Sequence, residues 1–231
     1  MILLKKIIIS GIVLVLAIGT YSQRSLFKCE LISSSDYDLV EPNIYFDPDI
    51  SNAQRQQILT DIKQAKNRIN STFGKTSAEP TIIVSGTEKK AASFGSNSTG
   101  STRGGISGDF VLIGPRGQNV DVIAHELVHA ELFHRTSFLS QNIRIPVWFL
   151  EGLSLLVDHR SVFLLENITL AEEDIKAVKQ IFYASDFPSN NTSFYQAARV
   201  AIKDIDPKKL YKKLELINSG ISFEQVYDSL Q

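Results

Sequence analysis

The sequence predicts an α+β fold, in which a small sheet precedes a helical C-terminal half. Three short apolar segments, residues 43–48, 80–86 and 109–114, have the length and composition of strands and lie in the first half of the chain. From residue 119 onward, apolar residues instead recur at helical spacing. Strands that come first and helices that come later are typical of the α+β class.

The composition is that of one globular domain. The chain has 231 residues, of which 43% are hydrophobic and 21% charged, enough for a substantial core but short for two domains. A net charge of -1 gives no electrostatic support for nucleic-acid binding. With Cys29 as its single cysteine, the chain cannot form an intramolecular disulfide, so the fold must depend on its core.

The N-terminus has the pattern of an export signal. Lys5 and Lys6 precede an apolar run over residues 7–19, which is short for a membrane span and suits a secretory signal cleaved after Gly19. An uncleaved membrane anchor is the alternative, because residues 2–4 lengthen the apolar stretch. Either way, the lysines stay inside and the domain is exported to the periplasm or the exterior. We therefore expect three parts: a signal peptide or anchor (residues 1–22), a polar stalk (23–41) and the functional domain (42–231).

The remaining elements follow in order after the stalk. The first strand, 43–48, ends at Pro48, and residues 51–74 form a helix that Ser51 caps. Residues 93–108 are rich in Gly, Ser and Thr and are expected to form a loop between the second and third strands. Further helices are expected at about residues 119–134, 147–159, 170–184, 193–203, 207–218 and 221–230.

The segment "VIAHELVHAELFH", residues 122–134, holds three of the four histidines. His125 and His129 stand four residues apart, so on a helix they share one face, about 6 Å apart along the axis. Both imidazoles can then reach one Zn²⁺ at about 2.0–2.1 Å. Glu126 is rotated off the metal direction, which suits a general base acting on the attacking water. An amphipathic helix that merely contains histidines is the alternative.

A catalytic zinc site needs a third protein ligand and an open position. Glu131 is excluded because it faces the side of the helix opposite His129. His134 does not complete a metzincin site, because Leu132 and Arg135 stand where that pattern requires Gly and His. The third ligand must therefore come from another part of the chain.

Glu151 is the better candidate for this ligand. It lies in the first turns of a helix that Pro146 starts, among apolar residues. A charge is costly to bury there unless it meets a partner or a metal. The alternative is an ordinary glutamate near the positive end of the helix dipole.

The motif and its spacing resemble the gluzincin family of zinc metallopeptidases. His-Glu-x-x-His is followed, after twenty-one residues, by Glu151 and a glycine on a second helix. The stretch Pro-x-Trp-Phe-x-Glu-Gly is similar to small gluzincins (minigluzincins) and related bacterial peptidases, and the resemblance covers roughly residues 43–228. It implies one zinc ion held by His125, His129 and Glu151, with Glu126 as the general base.

The resemblance also implies a place for the substrate. In that family a small mixed sheet packs on the helix that carries the motif, and an edge strand binds extended peptide. The segment 109–114 occupies that place in the sequence. We therefore expect its residues to bind the substrate: Phe110, Val111, Leu112 and Ile113.

Two supporting residues are less well defined. The family often stabilises the transition state with a downstream Tyr or His. Tyr195 is the candidate, with Tyr183 and His159 as substitutes and a ring that only packs in the core as the alternative. The thermolysin pattern has an aspartate four residues after the third ligand, where this chain has Leu155. Ser154 or a backbone carbonyl is therefore expected to support the ligands.

These observations predict an exported zinc metallopeptidase that hydrolyses bonds in a peptide or protein substrate. Its other partner would be the membrane, through the N-terminal segment if that segment is uncleaved. Two other classes stay open: a zinc-binding module that holds a peptide or partner without cutting it, and a zinc amidase acting on a cell-wall amide. Glu126 argues against the first, because a structural zinc needs no general base.

Overall fold

The computed structural model describes residues 23–231, apart from the side chains of residues 138 and 139. The signal peptide or anchor expected at residues 1–22 lies outside this part. Within it, a small mixed sheet is followed by a helical C-terminal half, so the predicted α+β class is confirmed. No helix in residues 23–231 combines the length and the apolarity needed to cross a bilayer.

Among the described residues, five strands form one sheet: β1 (Asp38–Glu41), β2 (Ile44–Phe46), β3 (Thr81–Val84), β4 (Gly100–Gly104) and β5 (Asp109–Ile113). Their order across the sheet is β1-β2-β3-β5-β4. The three inner strands run parallel to one another, whereas β1 and β4 pair antiparallel with their neighbours. The two edges of the sheet are therefore β1 and β4.

Ten α-helices lie in the described part: α1 (Arg24–Glu30), α2 (Asn52–Phe73), α3 (Glu88–Ser93), α4 (Val120–Arg135), α5 (Phe138–Ile143), α6 (Val147–Ser154), α7 (Glu172–Val178), α8 (Thr192–Ala201), α9 (Leu210–Asn218) and α10 (Phe223–Asp228). Helix α4 packs against α2 and against strands β4 and β5. Helix α6 packs against α4 and α8 and ends at Ser154, five residues before the predicted end at residue 159. These contacts bring α4, α6, α8 and the β4 edge of the sheet around one site.

The expectation that Phe110, Val111, Leu112 and Ile113 bind substrate is wrong. Strand β5 pairs with β3 on one side and β4 on the other, so its backbone groups are already used within the sheet. All four side chains are buried, two on the face covered by α2 and α4 and two on the face covered by α1. An unbroken apolar run is typical of such an inner strand, whose two faces are both covered.

The strand at the edge is instead β4, inside the segment that the sequence predicts as a loop. Its composition is polar and small because one of its sides pairs with no strand in residues 23–231 and most of its side chains are half-buried or exposed. Gly100 has a packing reason as well. A Cβ at this position would lie 3.0 Å from Cγ of Glu126, so a larger residue would push this side chain or the strand away from its present position.

Residues 24–41 are part of the domain and do not form a separate polar stalk. Helix α1 buries Cys29 against the sheet, and β1 pairs with β2. Hydrogen bonds tie α1 to the β4–β5 hairpin. Arg103 Nη1 donates to Ser25 Oγ at 2.7 Å, and Glu30 accepts from the Ile106 N–H at 2.5 Å. The polar composition of this segment reflects its exposed faces, while a few spaced apolar residues hold it to the sheet.

Candidate metal centre

The two histidines of the motif lie on the buried face of α4. Asn119 caps the helix, with its Oδ1 accepting a hydrogen bond from the Val122 N–H at 3.1 Å, so the helix begins where the sequence predicts. His125 is buried and His129 is half-buried. Their Nε2 atoms lie 3.2 Å apart. Two acceptors at that distance can share one electrophile between them.

Glu151, on α6, completes the group. Its Oε2 lies 3.3 Å from Nε2 of His125 and 3.5 Å from Nε2 of His129. The three ligand atoms therefore form a nearly equilateral triangle on the inner surface of the domain. This group of two imidazoles and one carboxylate could hold a metal ion.

A small residue sets the position of α6. A Cβ on Gly152 would lie 2.7 Å from the carbonyl oxygen of Ala198 on α8, closer than such atoms can approach. The absence of a side chain lets the backbones of α6 and α8 come into contact. Glu151 is thereby fixed between α4 and α8, which explains the Glu-Gly pair in the sequence.

The charges at the centre stabilise one another. Burial alone would lower the pKa of His125, but the carboxylates of Asp158 and Glu151 outweigh burial and raise it. Burial would likewise raise the pKa of Glu151, but the two imidazoles, His129 foremost, hold it well below its usual range. A buried cluster with this much negative charge favours a cation among its ligand atoms.

Asp158 is a residue of the site that sequence reasoning missed. Its Oδ2 lies 3.6 Å from Nδ1 of His125, the ring nitrogen that points away from the ligand triangle. This is within ion-pair range and slightly longer than a hydrogen bond. Arg160 in turn forms a salt bridge with Asp158. Its Nε donates to Oδ1 at 2.8 Å, and its Nη2 donates to Oδ2. Asp158 is buried, and Arg160 and His125 hold its pKa below the ordinary value against the opposing effect of burial.

The expectation that Ser154 supports a histidine is wrong. Its hydroxyl donates to the carbonyl oxygen of Leu150 in the preceding turn, at 3.1 Å. Because α6 ends at Ser154, the chain turns back toward α4, and the supporting carboxylate comes seven residues after Glu151 and not four. In the sequence, the available indication of this pair was an aspartate, Asp158, followed two residues later by Arg160. It points to the site only because α6 ends early.

Glu126 sits beside the ligand triangle, in contact with the edge strand. Its side chain is buried, with 8% of the residue exposed. Thr102 Oγ1, on β4, lies 2.9 Å from Oε2 of Glu126 and 2.8 Å from its main-chain oxygen. The carboxylate is therefore held on the β4 side of α4. This contact could not be predicted from the sequence, because residues 102 and 126 lie in different elements.

Tyr195 lies next to the same group. Its ring centroid on α8 is 6.5 Å from that of His125. The other side of the ring packs on Phe163 and Phe187. In residues 23–231 its hydroxyl makes no hydrogen bond. Burial raises the pKa of Tyr195, and the carboxylates of Glu151 and Glu126 raise it further, so the hydroxyl stays protonated and can donate.

The other residues considered in the sequence analysis, either excluded as ligands or ranked below Tyr195, do not belong to the ligand triangle. Glu131 is buried on the opposite side of α4, where it accepts hydrogen bonds from the N–H groups of residues 77 and 78. His134 and His159 are exposed. Tyr183, 55% exposed, lies in a neighbouring cleft. Of the three candidates for an oxyanion donor, Tyr195 is therefore the one beside the histidines.

A cleft of about 660 Å³ opens beside the centre. It lies between the end of β4, the last turns of α4 and the start of α6. Phe133, one turn beyond His129 on α4, forms one wall, with its ring 6.5 Å from that of His129. Leu150, which precedes Glu151, and Leu26 of α1 line it as well. The cleft is thus continuous with the face of α4 that carries the ligand atoms.

Comparison with known proteins gives no relative for this arrangement. No protein-family model, no curated protein and no solved structure matches the chain. The geometry and the chemistry of the residues themselves must therefore indicate what the site does.

Proposed function

We propose that the protein is a zinc-dependent metallopeptidase, in which His125, His129 and Glu151 bind the metal and Glu126 is the general base. The observation that carries this proposal is the triangle of ligand atoms, with sides of 3.2, 3.3 and 3.5 Å. The buried carboxylate of Glu126 lies beside this triangle. It is not one of the three ligands, and it forms no ion pair in the described part of the chain. A purely structural metal site would not need that carboxylate.

The ligand set fits zinc in kind and in spacing. Tetrahedral zinc with bonds of about 2.0–2.1 Å separates its ligand atoms by about 3.3 Å, which is the mean size of the observed triangle. Three protein ligands of the His, His, Glu type, with a fourth position open, are typical of catalytic zinc and not of structural zinc. Bound there, zinc would act as a Lewis acid on water and on a substrate carbonyl.

The protein side chains supply the proton transfers. Glu126, held by Thr102, accepts a proton from the attacking water and delivers it to the amine that leaves. The hydroxyl of Tyr195 donates a hydrogen bond to the oxygen on which negative charge develops. Asp158, whose Oδ2 lies in ion-pair range of Nδ1 of His125, would orient this ring so that Nε2 faces the bound metal.

A peptide is the substrate that best suits the surroundings of the site. Strand β4 has an outer edge that pairs with no strand in residues 23–231, next to the general base. An extended peptide can add to such an edge through backbone hydrogen bonds, while its side chains enter adjacent pockets. The cleft beyond Phe133 is one such pocket.

Metal analysis and cleavage of a peptide library test this proposal. The purified protein should bind one zinc per chain, and chelation should abolish hydrolysis. Glu126→Gln should keep the zinc and lose activity by a factor of roughly 10² to 10⁴, whereas His129→Ala and Glu151→Gln should lose the zinc. A protein that stays metal-free after zinc supplementation contradicts the metal assignment.

The same assays separate the two other functions. If no peptide is cut but peptides bind equally to the wild type and to Glu126→Gln, the protein is a binding module. If peptides are spared and a cell-wall amide is hydrolysed, the reaction is that of an amidase. Full hydrolytic activity in Glu126→Gln would show that the carboxylate is not the general base.

We also propose that the domain is exported, on the basis of Lys5, Lys6 and the apolar run that follows them. A reporter enzyme fused after Gln231 should then be active only outside the cytoplasm. Sequencing the N-terminus of the mature protein would distinguish cleavage after Gly19 from a retained anchor. Cytoplasmic activity of the fusion contradicts export.

A further inference from the structure

Asp109 is an ionisable residue of the cleft that the proposed reaction does not use. It begins β5, directly opposite Gly104 at the end of β4, and its side chain lines the cleft. In residues 23–231 its carboxylate makes no hydrogen bond and no ion pair. Burial raises the pKa of Asp109, and the charge of nearby His134 opposes this effect without cancelling it. A half-buried carboxylate without a partner is unfavourable unless something else supplies a positive charge.

The way to this carboxylate is open on the substrate side. Directly opposite residues on neighbouring strands project their side chains from the same face, so Asp109 and Gly104 face the side of the sheet on which α4 lies. A Cβ on Gly104 would be 3.7 Å from Oδ1 of Asp109. Because glycine has no side chain, nothing on β4 screens the carboxylate from a peptide added to the edge.

Two independent distances give the position of the cleft relative to the substrate bond that would be cut. Thr102 marks the position of Glu126, and Gly104 lies two residues further along β4, or about 6.6–6.8 Å. On α4, Phe133 lies four residues beyond His129, or about 6 Å. A substrate residue that faces the cleft is therefore two residues away from the one at the metal.

The length of the gap selects the kind of side chain. A peptide beyond β4 would lie two strand spacings, about 9.6 Å, from β5. Only a long side chain can cross this gap and meet a carboxylate at its end. The walls it would pass are apolar, formed by Leu26, Phe133 and Leu150, and they suit the methylene stem of a lysine or arginine.

We propose that this cleft binds a lysine or arginine side chain of the peptide substrate, two residues from the bond that is cut, with Asp109 as the partner of its cationic end. The proposal rests on the proposed peptidase function for the position of the cut. The binding site itself depends only on the cleft, on the β4 edge and on the Asp109 carboxylate, and neither of the last two has a strand or ion-pair partner among residues 23–231.

Binding can be measured without turnover. In zinc-loaded Glu126→Gln protein, fluorescence anisotropy would compare labelled peptides that carry one lysine with peptides that carry norleucine, which has the same carbon chain and no charge. We expect lysine to bind about tenfold more tightly, as for a hydrogen bond to a charged group. Asp109→Asn should abolish the difference, and Asp109→Glu should retain most of it. Glu41→Gln, on the opposite edge strand β1, is the matched control and should change nothing.

Cleavage gives the second readout. When a single lysine is moved along a peptide, the cut made by the wild-type protein should move with it, always two residues away. Equal binding of lysine and norleucine peptides, or a preference that survives Asp109→Asn in a protein with an unchanged melting temperature, overturns the inference. A lysine preference in binding with no peptide ever cut contradicts the peptidase function and the position of the cut, but not the cationic pocket.

Discussion

The hydroxyl of Thr102 lies within hydrogen-bond distance of both the carboxylate and the main-chain oxygen of Glu126, at 2.9 and 2.8 Å. One side chain on the edge strand thus touches both ends of the proposed general base. While the carboxylate is ionised, the hydroxyl can donate to Oε2. Once the carboxylate carries a proton, the same oxygen can accept from it and donate to the main-chain oxygen instead. Thr102 can therefore form a hydrogen bond with both the ionised and the protonated carboxylate of Glu126.

Replacing Thr102 should therefore slow the reaction without affecting the metal. Thr102→Val keeps the shape and removes the hydroxyl, and we expect kcat to fall about tenfold to hundredfold, the usual effect of a lost hydrogen bond to a charged group. Thr102→Ser retains the hydroxyl and should stay within a few-fold of the wild type. Zinc content should be equal in all three proteins. Equal kcat for the valine and serine variants would show that the contact has no role in catalysis.

Asp158→Asn should weaken zinc binding, because the neutral amide no longer orients and polarises His125. Loss of such a supporting carboxylate typically costs about 10- to 100-fold in metal affinity. Competition with a chelator of known affinity measures the effect. Glu172→Gln, which removes an exposed ion pair with Lys176, is the control and should leave zinc affinity unchanged. Unaltered affinity in Asp158→Asn would mean that the 3.6 Å contact does not support the ligand.

Tyr195→Phe should retain zinc and lose turnover. Removal of an oxyanion donor costs about 10²- to 10³-fold in kcat. The melting temperature should not change, since the hydroxyl makes no hydrogen bond in residues 23–231. Tyr183→Phe, on the exposed side of the cleft, should keep its kcat. If Tyr183→Phe has a lower kcat than Tyr195→Phe, Tyr195 is not the residue that donates to the oxyanion.

Acid should destabilise the fold through Asp47, which is fully buried. Burial alone would raise the pKa of Asp47, but hydrogen bonds from Lys90 Nζ and from the N–H groups of Asp49 and Gly86 hold it below its ordinary value. A carboxylate whose pKa is lower in the folded state stabilises the protein above about pH 4 and loses that effect as the pH falls further. Asp47→Asn should therefore lower the free energy of unfolding by about 2 kcal/mol at pH 7.

Urea unfolding at pH 7 and at pH 2.5 measures this effect. The difference in stability between the wild type and Asp47→Asn should be much smaller at pH 2.5. A difference that stays constant over the whole range would show that Asp47 is not charged in the folded protein.

Cys29 reports on whether α1 stays on the sheet. The thiol is fully buried, and burial raises the pKa of Cys29 to about 11. A maleimide should therefore label the native protein very slowly and the urea-unfolded protein rapidly. Mass spectrometry over time gives both rates. Labelling of the native protein at the rate of a free thiol would show that α1 detaches and that residues 24–41 behave as the stalk that their composition suggests.

The parts of the site that could be predicted are those that local sequence encodes. His125, Glu126 and His129 share one helix, so their relation depends only on helical spacing. Glu151 could be found because a charge stands in an apolar helix with a glycine beside it. The structure brings these four together as expected.

The rest depends on contacts between distant segments. Thr102 reaches Glu126 only because β4 pairs with β5 and lies over α4. Asp158 reaches His125 because α6 ends early. Strand β4 itself has too few apolar residues to be distinguished from a loop, since one of its edges pairs with no strand in residues 23–231. The apolar run of β5 indicated burial on both faces, which is the property of an inner strand and not of a peptide-binding edge.

Hydrogen bonds between α1 and the β4–β5 hairpin connect helix α1 to the strand that ends at the cleft. Arg103, one residue from the end of β4, is held by Ser25, and the tip of the hairpin is held by Glu30. A displacement of α1 would therefore be transmitted through these bonds to β4, the strand proposed to bind the peptide.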